Sequence, residues 1–444
     1  MFIFYRYVQD LNTIVKIFWW LNFIFVTIFF FVYIFQHIHA VITLFTKKKI
    51  WPPASIKHKY GILIAGRNES KVIGNLIQSI YKSNYPKELI TVFVCADNCT
   101  DNTAIVARNN GAIVYERFDL NNIGKSYALD FLIKKILSNK SYNDIECFFV
   151  MDADNLVSKN YISEMNKTFD TGIEVATSFR ESKNFEANWV SACSALTFYR
   201  ECCIIHHSRQ RLGVGTYVSG TGYFVSRRII EMLNGWHFNT MTEDIEFSIW
   251  CATHQILVSF NEDAVFYDEQ PESIRVANRQ RLRWCKGTHQ CCKKYDVKLL
   301  EKMARKKKKL ALFELFTHVT PFPIITVTWF FIYLFSNLIF LYMGLETNRY
   351  FINEVTSNVI GFLFFLVFVS QLQALICIVK NRKRMRKYSL WSKIKSVLLF
   401  PLFVSMYIPL SFQALLKKNI TWKQIPHTNT TTIESIEEKE NINK

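Results

Sequence analysis

No two of the eleven cysteines stand at C-x-x-C spacing, and the adjacent pairs Cys202/Cys203 and Cys291/Cys292 lack a histidine complement suited to zinc. That excludes a zinc module; in a reducing compartment the thiols are most simply free, with no structural disulfide. No internal repeat runs along the 444 residues, which sets repeat architectures aside. The apolar stretch near the N-terminus lacks a small-residue cleavage site. It is also too long for the apolar core of a signal peptide, so it reads as an uncleaved anchor. The widest absence is of charge. Asp, Glu, Lys and Arg are missing from residues 17–45, 315–345, 355–379 and 396–416. Each stretch is long enough to span a bilayer, which takes about 20 apolar residues. An ordinary soluble protein is thereby excluded, and a 20% share of charged residues equally excludes a pure membrane bundle.

Acidic residues are scarce beside basic ones, 36 against 54, leaving a net charge of +18. The excess is clustered. Lys47, Lys48, Lys49, Lys57 and Lys59 follow the first stretch, and Lys302 with Arg305 to Lys309 precede the second. Lys380, Arg382, Lys383, Arg384, Arg386 and Lys387 follow the third. The positive-inside rule puts these clusters in the cytoplasm, makes stretches two and three a hairpin, and implies a multi-pass protein of the cell (plasma) membrane. Because the clusters hug the membrane ends, the expected partner is anionic membrane lipid rather than nucleic acid. The fourth stretch carries Pro401 and Pro409, which leaves a kinked span and a re-entrant segment both open. Counting it as a span puts the C-terminus outside, whereas Lys417, Lys418 and Lys423 argue for inside. The layout is then an N-terminal segment (1–16), an anchor (17–45), a cytoplasmic domain (46–295) and a basic interfacial segment (296–314). Two spans (315–345 and 355–379), a basic loop (380–395), the fourth stretch (396–416) and a partly disordered tail (417–444) complete it.

Within the cytoplasmic domain, strand and helix patterns alternate: strands at 61–65, 91–96, 112–115 and 147–151, helices at 70–83, 101–110 and 125–137. Such alternation argues an α/β fold, a parallel sheet with helices on both faces. The apolar run Cys147–Phe148–Phe149–Val150–Met151 ends directly in Asp152–Ala153–Asp154. Two carboxylates then stand at the C-terminal mouth of a buried strand, where open α/β sheets bind ligands. Oxygen ligands of this kind suit a hard divalent cation shared with substrate phosphates. Ala65–Gly66–Arg67–Asn68–Glu69 and Asp97–Asn98–Cys99–Thr100–Asp101 follow the first two strands, and helix capping is the bland account of both. Asp97 precedes the capping position and could accept hydrogen bonds from a nucleobase edge. Gly124–Lys125 opens a helix, a setting that favours phosphate. Thr242–Glu243–Asp244 reads either as an N-cap with dipole-favoured acids or as a base, Asp244, aimed into the cleft. Gln280, Arg283 and Trp284 share one helical face, with a fork for a diphosphate and a flat surface for a sugar ring. The alternative there is an amphipathic helix at the membrane surface.

The order D-x-D, T-E-D, Q-x-x-R-W, flanked by apolar spans, resembles the processive, inverting family 2 glycosyltransferases, which include cellulose, chitin, hyaluronan and poly-N-acetylglucosamine synthases. The resemblance covers about half the chain. It implies a GT-A-like, mostly parallel sheet with transmembrane helices at both ends. It further implies that Ala65, Glu69 and Asp97 hold uridine, and that Lys125 and Asp152 bind the nucleotide end. Asp154 would take Mn2+ or Mg2+ bridging the diphosphate, and Asp244 would deprotonate the acceptor. Gln280, Arg283 and Trp284 would bind diphosphate and shape the acceptor mouth, with Gly220 and Thr221 in a small-residue turn beside the acceptor sugar. The implied reaction moves a hexose or N-acetylhexosamine from a UDP-sugar to a growing β-linked polysaccharide. The alternative is a glycolipid synthase adding one or two sugars to diacylglycerol or a polyprenyl lipid. The first loop lacks the proline that many relatives carry. Three C-terminal stretches are few for a self-sufficient export channel, so export or accessory subunits are possible partners.

Overall fold

The computed structural model describes residues 12–305, 309–418, 420, 427 and 429–442. Residues 1–11 of the N-terminal segment, Lys306, Lys307, Lys308 and Lys423 lie outside the described residues. Strands β1 (Tyr60–Gly66), β2 (Ile90–Asp97), β3 (Ile113–Arg117) and β4 (Cys147–Asp152) form the first half of one sheet, all parallel, in the order β3-β2-β1-β4. β1 and β4 read as continuous apolar runs because both their faces are covered. Ile62, Ile64, Phe149 and Met151 face a core closed by helices Ile73–Tyr81 and Tyr161–Phe169. Leu63, Phe148 and Val150 face the opposite core, under helices Lys125–Leu137 and Glu243–Thr253.

The second half departs from simple alternation. β5 (Leu156–Val157), β6 (Val175–Ser182), β7 (Tyr223–Ser226) and β8 (Val258–Asp268) extend the sheet as β4-β7-β6-β8-β5. β7 is antiparallel to both β4 and β6, and β5 is antiparallel to β8. The remaining six strands run in one direction, so the sheet is mostly parallel. Their C-terminal ends place Ala65 opposite Asp152, and bring Asp97, Ser182 and Asp268 to the same edge.

Among the described residues, four helical segments are long and apolar enough to cross a membrane: Thr13–Phe45, Phe322–Tyr342, Asn348–Lys380 and Leu390–Leu416. The first three lie side by side. Val15, Phe340 and Tyr350 meet at the end remote from the sheet, while Lys380 Nζ donates to the Thr46 carbonyl (3.0 Å) at the near end. The expected span 315–345 is cut at its start. Helix Lys309–Val319 packs Leu312, Leu315 and Val319 onto Ile249 and Leu299 of the sheet domain, and a new helix, Phe322–Tyr342, starts after Pro321 with Pro323 in its first turn. Proline has no N–H to continue the first helix, yet fits the opening turn of the next. The expected boundary at 295 also falls inside an element, because helix Ile274–Arg305 runs through it.

Both ends of Leu390–Leu416 touch the sheet domain. Ser389 N–H donates to Glu186 (2.6 Å), and Lys286 Nζ reaches the carbonyls of Ala414 (3.1 Å) and Lys417 (2.6 Å). The segment divides at Met406 into helices Leu390–Ser405 and Tyr407–Leu416. The tail, expected to be partly disordered, forms helix Ile433–Ile442. Its Ile433 and Ile436, one helical turn apart, are buried against Leu156 and Tyr267, and that apolar pair is what orders it.

Candidate active site

Asp152 ends β4, and its carboxylate forms an ion pair with Lys125, the first residue of helix Lys125–Leu137. Lys125 Nζ also donates to the Gly220 carbonyl at 2.6 Å. Burial opposes a charged lysine here, but Asp152, Glu243 and Asp244 outweigh it and raise the pKa, so the ammonium is kept. Gly220 sits at φ +74°, a left-handed conformation that side-chain-bearing residues avoid. A Cβ there would lie 3.6 Å from Arg180 Nη2 and 3.9 Å from Asp244 Oδ2, so the turn separates these two groups. Thr221 locks the turn to the strand mouth: its hydroxyl accepts from the Asp152 N–H (2.8 Å) and lies 2.5 Å from Asn155 Oδ1.

Asp244 stands in the first turn of helix Glu243–Thr253, beside Glu243. Burial raises the pKa of Asp244, and burial together with the Asp244 charge brings Glu243 to about 7. Two adjacent carboxyls in one buried cleft cannot both ionise freely.

Asp154 is 4% exposed. Burial pushes its carboxyl up, yet His427, Lys183 and Arg180 outweigh burial and hold it below the usual range. Asp268, at the end of β8, is pushed to about 7 by burial and by Asp154. Glu69 is buried and accepts from His427 Nδ1 at 3.1 Å, while His427 Nε2 lies 3.9 Å from Asp154. Among the described residues no three acidic, histidine or cysteine side chains converge as a metal cage. Asp154 nonetheless offers a hard, ionised oxygen beside a second carboxylate, Asp268. That suits a cation completing its shell on substrate phosphates.

Asp97, at the β2 end, is held by Arg117 (2.6 Å) and by Asn98 Nδ2 (3.0 Å). Ala65, Glu69, Asp97, Lys125, Asp152, Asp154, Gly220, Thr221 and Asp244 therefore gather along one sheet edge. The Gln280–Trp284 segment lies on helix Ile274–Arg305, whose buried Ala277, Arg281 and Cys285 pack against helices Leu390–Ser405 and Tyr407–Leu416. Trp284 meets Phe198 edge-on at 6.0 Å, and Phe198 carries the Arg180 guanidinium at 4.1 Å, which links Trp284 to the cleft. Gln280 and Arg283 are half-buried and form no hydrogen bond or ion pair with another described residue. Arg281 is the anchoring arginine: it is 2% exposed and donates to the Phe403 carbonyl at 2.6 Å.

Sequence reading missed Arg180, Lys183, Asp268 and His427. The first three sit on or just past β6 and β8, where polar residues interrupt the apolar pattern. His427 comes from a segment with no neighbouring motif.

The sequence profile described as "Glycosyltransferase like family 2" matches residues 58–287, more than half of the chain. The chain belongs to this family. The family segment contains each site residue above except His427. Among curated relatives, a beta-monoglucosyldiacylglycerol synthase of Synechocystis sp. is 27% identical over 57% of this chain and 52% of its own length. This chain thus spans about half of that protein. A poly-beta-1,6-N-acetyl-D-glucosamine synthase of Staphylococcus epidermidis is 22% identical over 69% of this chain and 73% of its own. The fold is shared with a mannosyltransferase of Pyrobaculum calidifontis solved with GDP-Man and Mn2+ (TM-score 0.50, 14% identity, 88% of this chain and 96% of that one).

Proposed function

We propose that this family 2 glycosyltransferase is an inverting membrane enzyme that moves a hexose or N-acetylhexosamine from a UDP-sugar onto a β-linked polysaccharide. The observation that carries the reading is the convergence of Asp244, Lys125, Asp152 and Asp154 on one cleft at the sheet edge. The acceptor hydroxyl has a very high pKa, so Asp244 takes its proton as the oxygen attacks the anomeric carbon. The bond from that carbon to the diphosphate breaks, and UDP leaves with the electron pair. With one base and no second nucleophile, the configuration inverts. Lys125 offsets charge on the leaving group as a fixed ammonium. Asp154 would hold a divalent cation, Mn2+ or Mg2+, which supplies further neutralisation of the diphosphate. Asp97 and Glu69 lie where the nucleoside end would rest, and Trp284 would shape the acceptor mouth.

A second reading, transfer of one or two sugars to diacylglycerol or a polyprenyl lipid, is favoured by the 27% identity to the glycolipid synthase. Sizing the labelled product from a panel of UDP-sugars with manganese or magnesium separates the two. A polymer supports the first reading, a single organic-soluble band supports the second, and release of no UDP from any donor overturns both. The basic clusters and the contacts at both ends of Leu390–Leu416 support a reading in which the sheet domain and tail share the cytoplasmic side of the plasma membrane, with anionic lipid at the helix ends.

A further inference from the structure

The chain between helices Arg227–Leu233 and Glu243–Thr253 forms no strand or helix, yet its last residues deliver Asp244 to the cleft. Such a segment must find outside partners for its backbone N–H groups. The Thr240 N–H donates to Glu246 Oε2 (2.9 Å), and the Met241 N–H donates to the Gln290 side chain (2.8 Å). The Thr240 and Thr242 hydroxyls lie 3.5 and 3.7 Å from the Cys291 sulfur. Gln290 and Cys291 belong to helix Ile274–Arg305, which also carries Gln280, Arg283 and Trp284. The turn before Asp244 is therefore fastened to the helix that bears the Q-x-x-R-W residues.

Glu246 joins the two. It follows Asp244 by two positions, which turns it about 200° around the helix, away from the face that Asp244 presents to the cleft. Its Oε1 accepts from Lys294 Nζ (2.7 Å) and from the Tyr295 hydroxyl (2.7 Å), both on helix Ile274–Arg305, while Oε2 holds the Thr240 N–H. Burial pushes its carboxyl up, but Lys294, the Thr240 N–H and Tyr295 outweigh burial and hold it below the usual range, so the charge that strengthens these bonds is kept. The side chain is 0% exposed, out of reach of any substrate. Whatever Glu246 contributes to transfer, it contributes through Asp244 and Trp284.

We propose that Glu246 is a positioning residue: it fixes the Asp244 turn to the helix that carries Trp284, so that the base and the acceptor mouth keep one spacing. This rests on the transferase reading above. Loosening the tie should misplace the base and leave the donor end alone, because Asp97, Lys125 and Asp152 sit on other elements. The test uses the full-length protein in membranes. Glu246→Gln is compared with a paired variant, Lys294→Met with Tyr295→Phe, which removes both bonds from the far side. Lys294 is 54% exposed, so the paired variant carries the test if Glu246→Gln fails to fold. UDP release, labelled sugar transferred and UDP affinity are measured with UDP-glucose and UDP-N-acetylglucosamine, and rates are expressed per UDP-binding site. Transfer should fall about 10- to 100-fold, the scale expected when a reacting group is displaced by a fraction of an ångström to an ångström. UDP affinity should stay within twofold, and more UDP should be released per sugar transferred, because water replaces the misplaced acceptor. Combining the two variants should add little, since either one breaks the same tie. An unchanged transfer rate per binding site, with fewer folded molecules, would overturn the proposal and make Glu246 a packing residue. UDP affinity falling in step with transfer would overturn it as well. If wild type releases no UDP from either donor, it is the transferase reading that fails, an outcome distinct from the other two.

Discussion

At the scale of single residues, the cleft separates carboxyls by what surrounds each. Asp154 is ionised because His427, Lys183 and Arg180 face it, while Asp244 and Glu243 crowd each other in a buried turn. Asp244→Asn should lower transfer by at least the 100- to 10,000-fold ascribed to a general base, about 10² to 10⁴. UDP affinity should hold; retained transfer with lost affinity would remove Asp244 from the base role. The Glu243 pKa of about 7 adds a pH signature. Transfer should rise with pH along a limb well above the usual carboxylate range, and Glu243→Gln should move that limb downward by deleting a neighbouring negative charge. Stability has the opposite sign. A carboxyl whose folded pKa is raised from 4.5 to about 7 favours the folded state below the lower value and loses that contribution as pH climbs through the higher. Melting temperature should therefore fall across this window in wild type and fall less in Glu243→Gln. Asp152, Asp154 and Asp244 were legible in the sequence because an apolar run or a helix start announces each position. Arg180 and Asp268 were not, since β6 (V-A-T-S-F-R-E-S) and β8 (V-S-F-N-E-D-A-V-F-Y-D) mix polar residues into apolar strands.

At the scale of elements, helix Ile274–Arg305 ties the cleft to the membrane-side helices. Gly287 lets it cross Thr242 directly before Glu243: a Cβ there would come 2.5 Å from the Thr242 hydroxyl and 2.6 Å from its backbone nitrogen. Gly287→Ala should cost about 1–3 kcal/mol through overpacking. It should also reduce transfer by displacing the turn that holds Asp244, an effect visible as a lower melting temperature together with a lower kcat. Trp284→Ala touches the opposite end of the linkage. Product length should shorten while UDP affinity is kept, and unchanged length and rate would leave Trp284 as a packing partner of Phe198. The Q-x-x-R-W pattern drew attention to this helix, but not to Arg281 as its buried anchor. Its role depends on the Phe403 carbonyl, which lies more than a hundred residues away in sequence.

At the scale of the whole molecule, counting spans and counting charges put the C-terminus on opposite sides, and contacts made by the fourth stretch and the tail favour one of them as a testable reading. Sequence alone could not weigh the contacts at the two ends of Leu390–Leu416, and its apolar composition matches that of a crossing helix. Beyond it, the tail returns to the sheet domain. Lys82 pairs with Glu434 (2.5 Å), Lys159 with Glu437 (2.6 Å), and the Asn75 side chain donates to the Thr430 carbonyl (3.1 Å). These ion pairs are exposed and contribute little each. The buried Ile433 and Ile436, with His427 between Glu69 and Asp154, hold the strap in place. A chain with three crossings and one re-entrant pair keeps tail and sheet domain on one face, whereas four crossings would part them. An epitope tag fused after Lys444 should be cleaved by added protease in inside-out vesicles together with the sheet domain, and protected in right-side-out vesicles. Cleavage of the tag alone in right-side-out vesicles would restore the fourth crossing and separate the tail from Glu69 and Asp154.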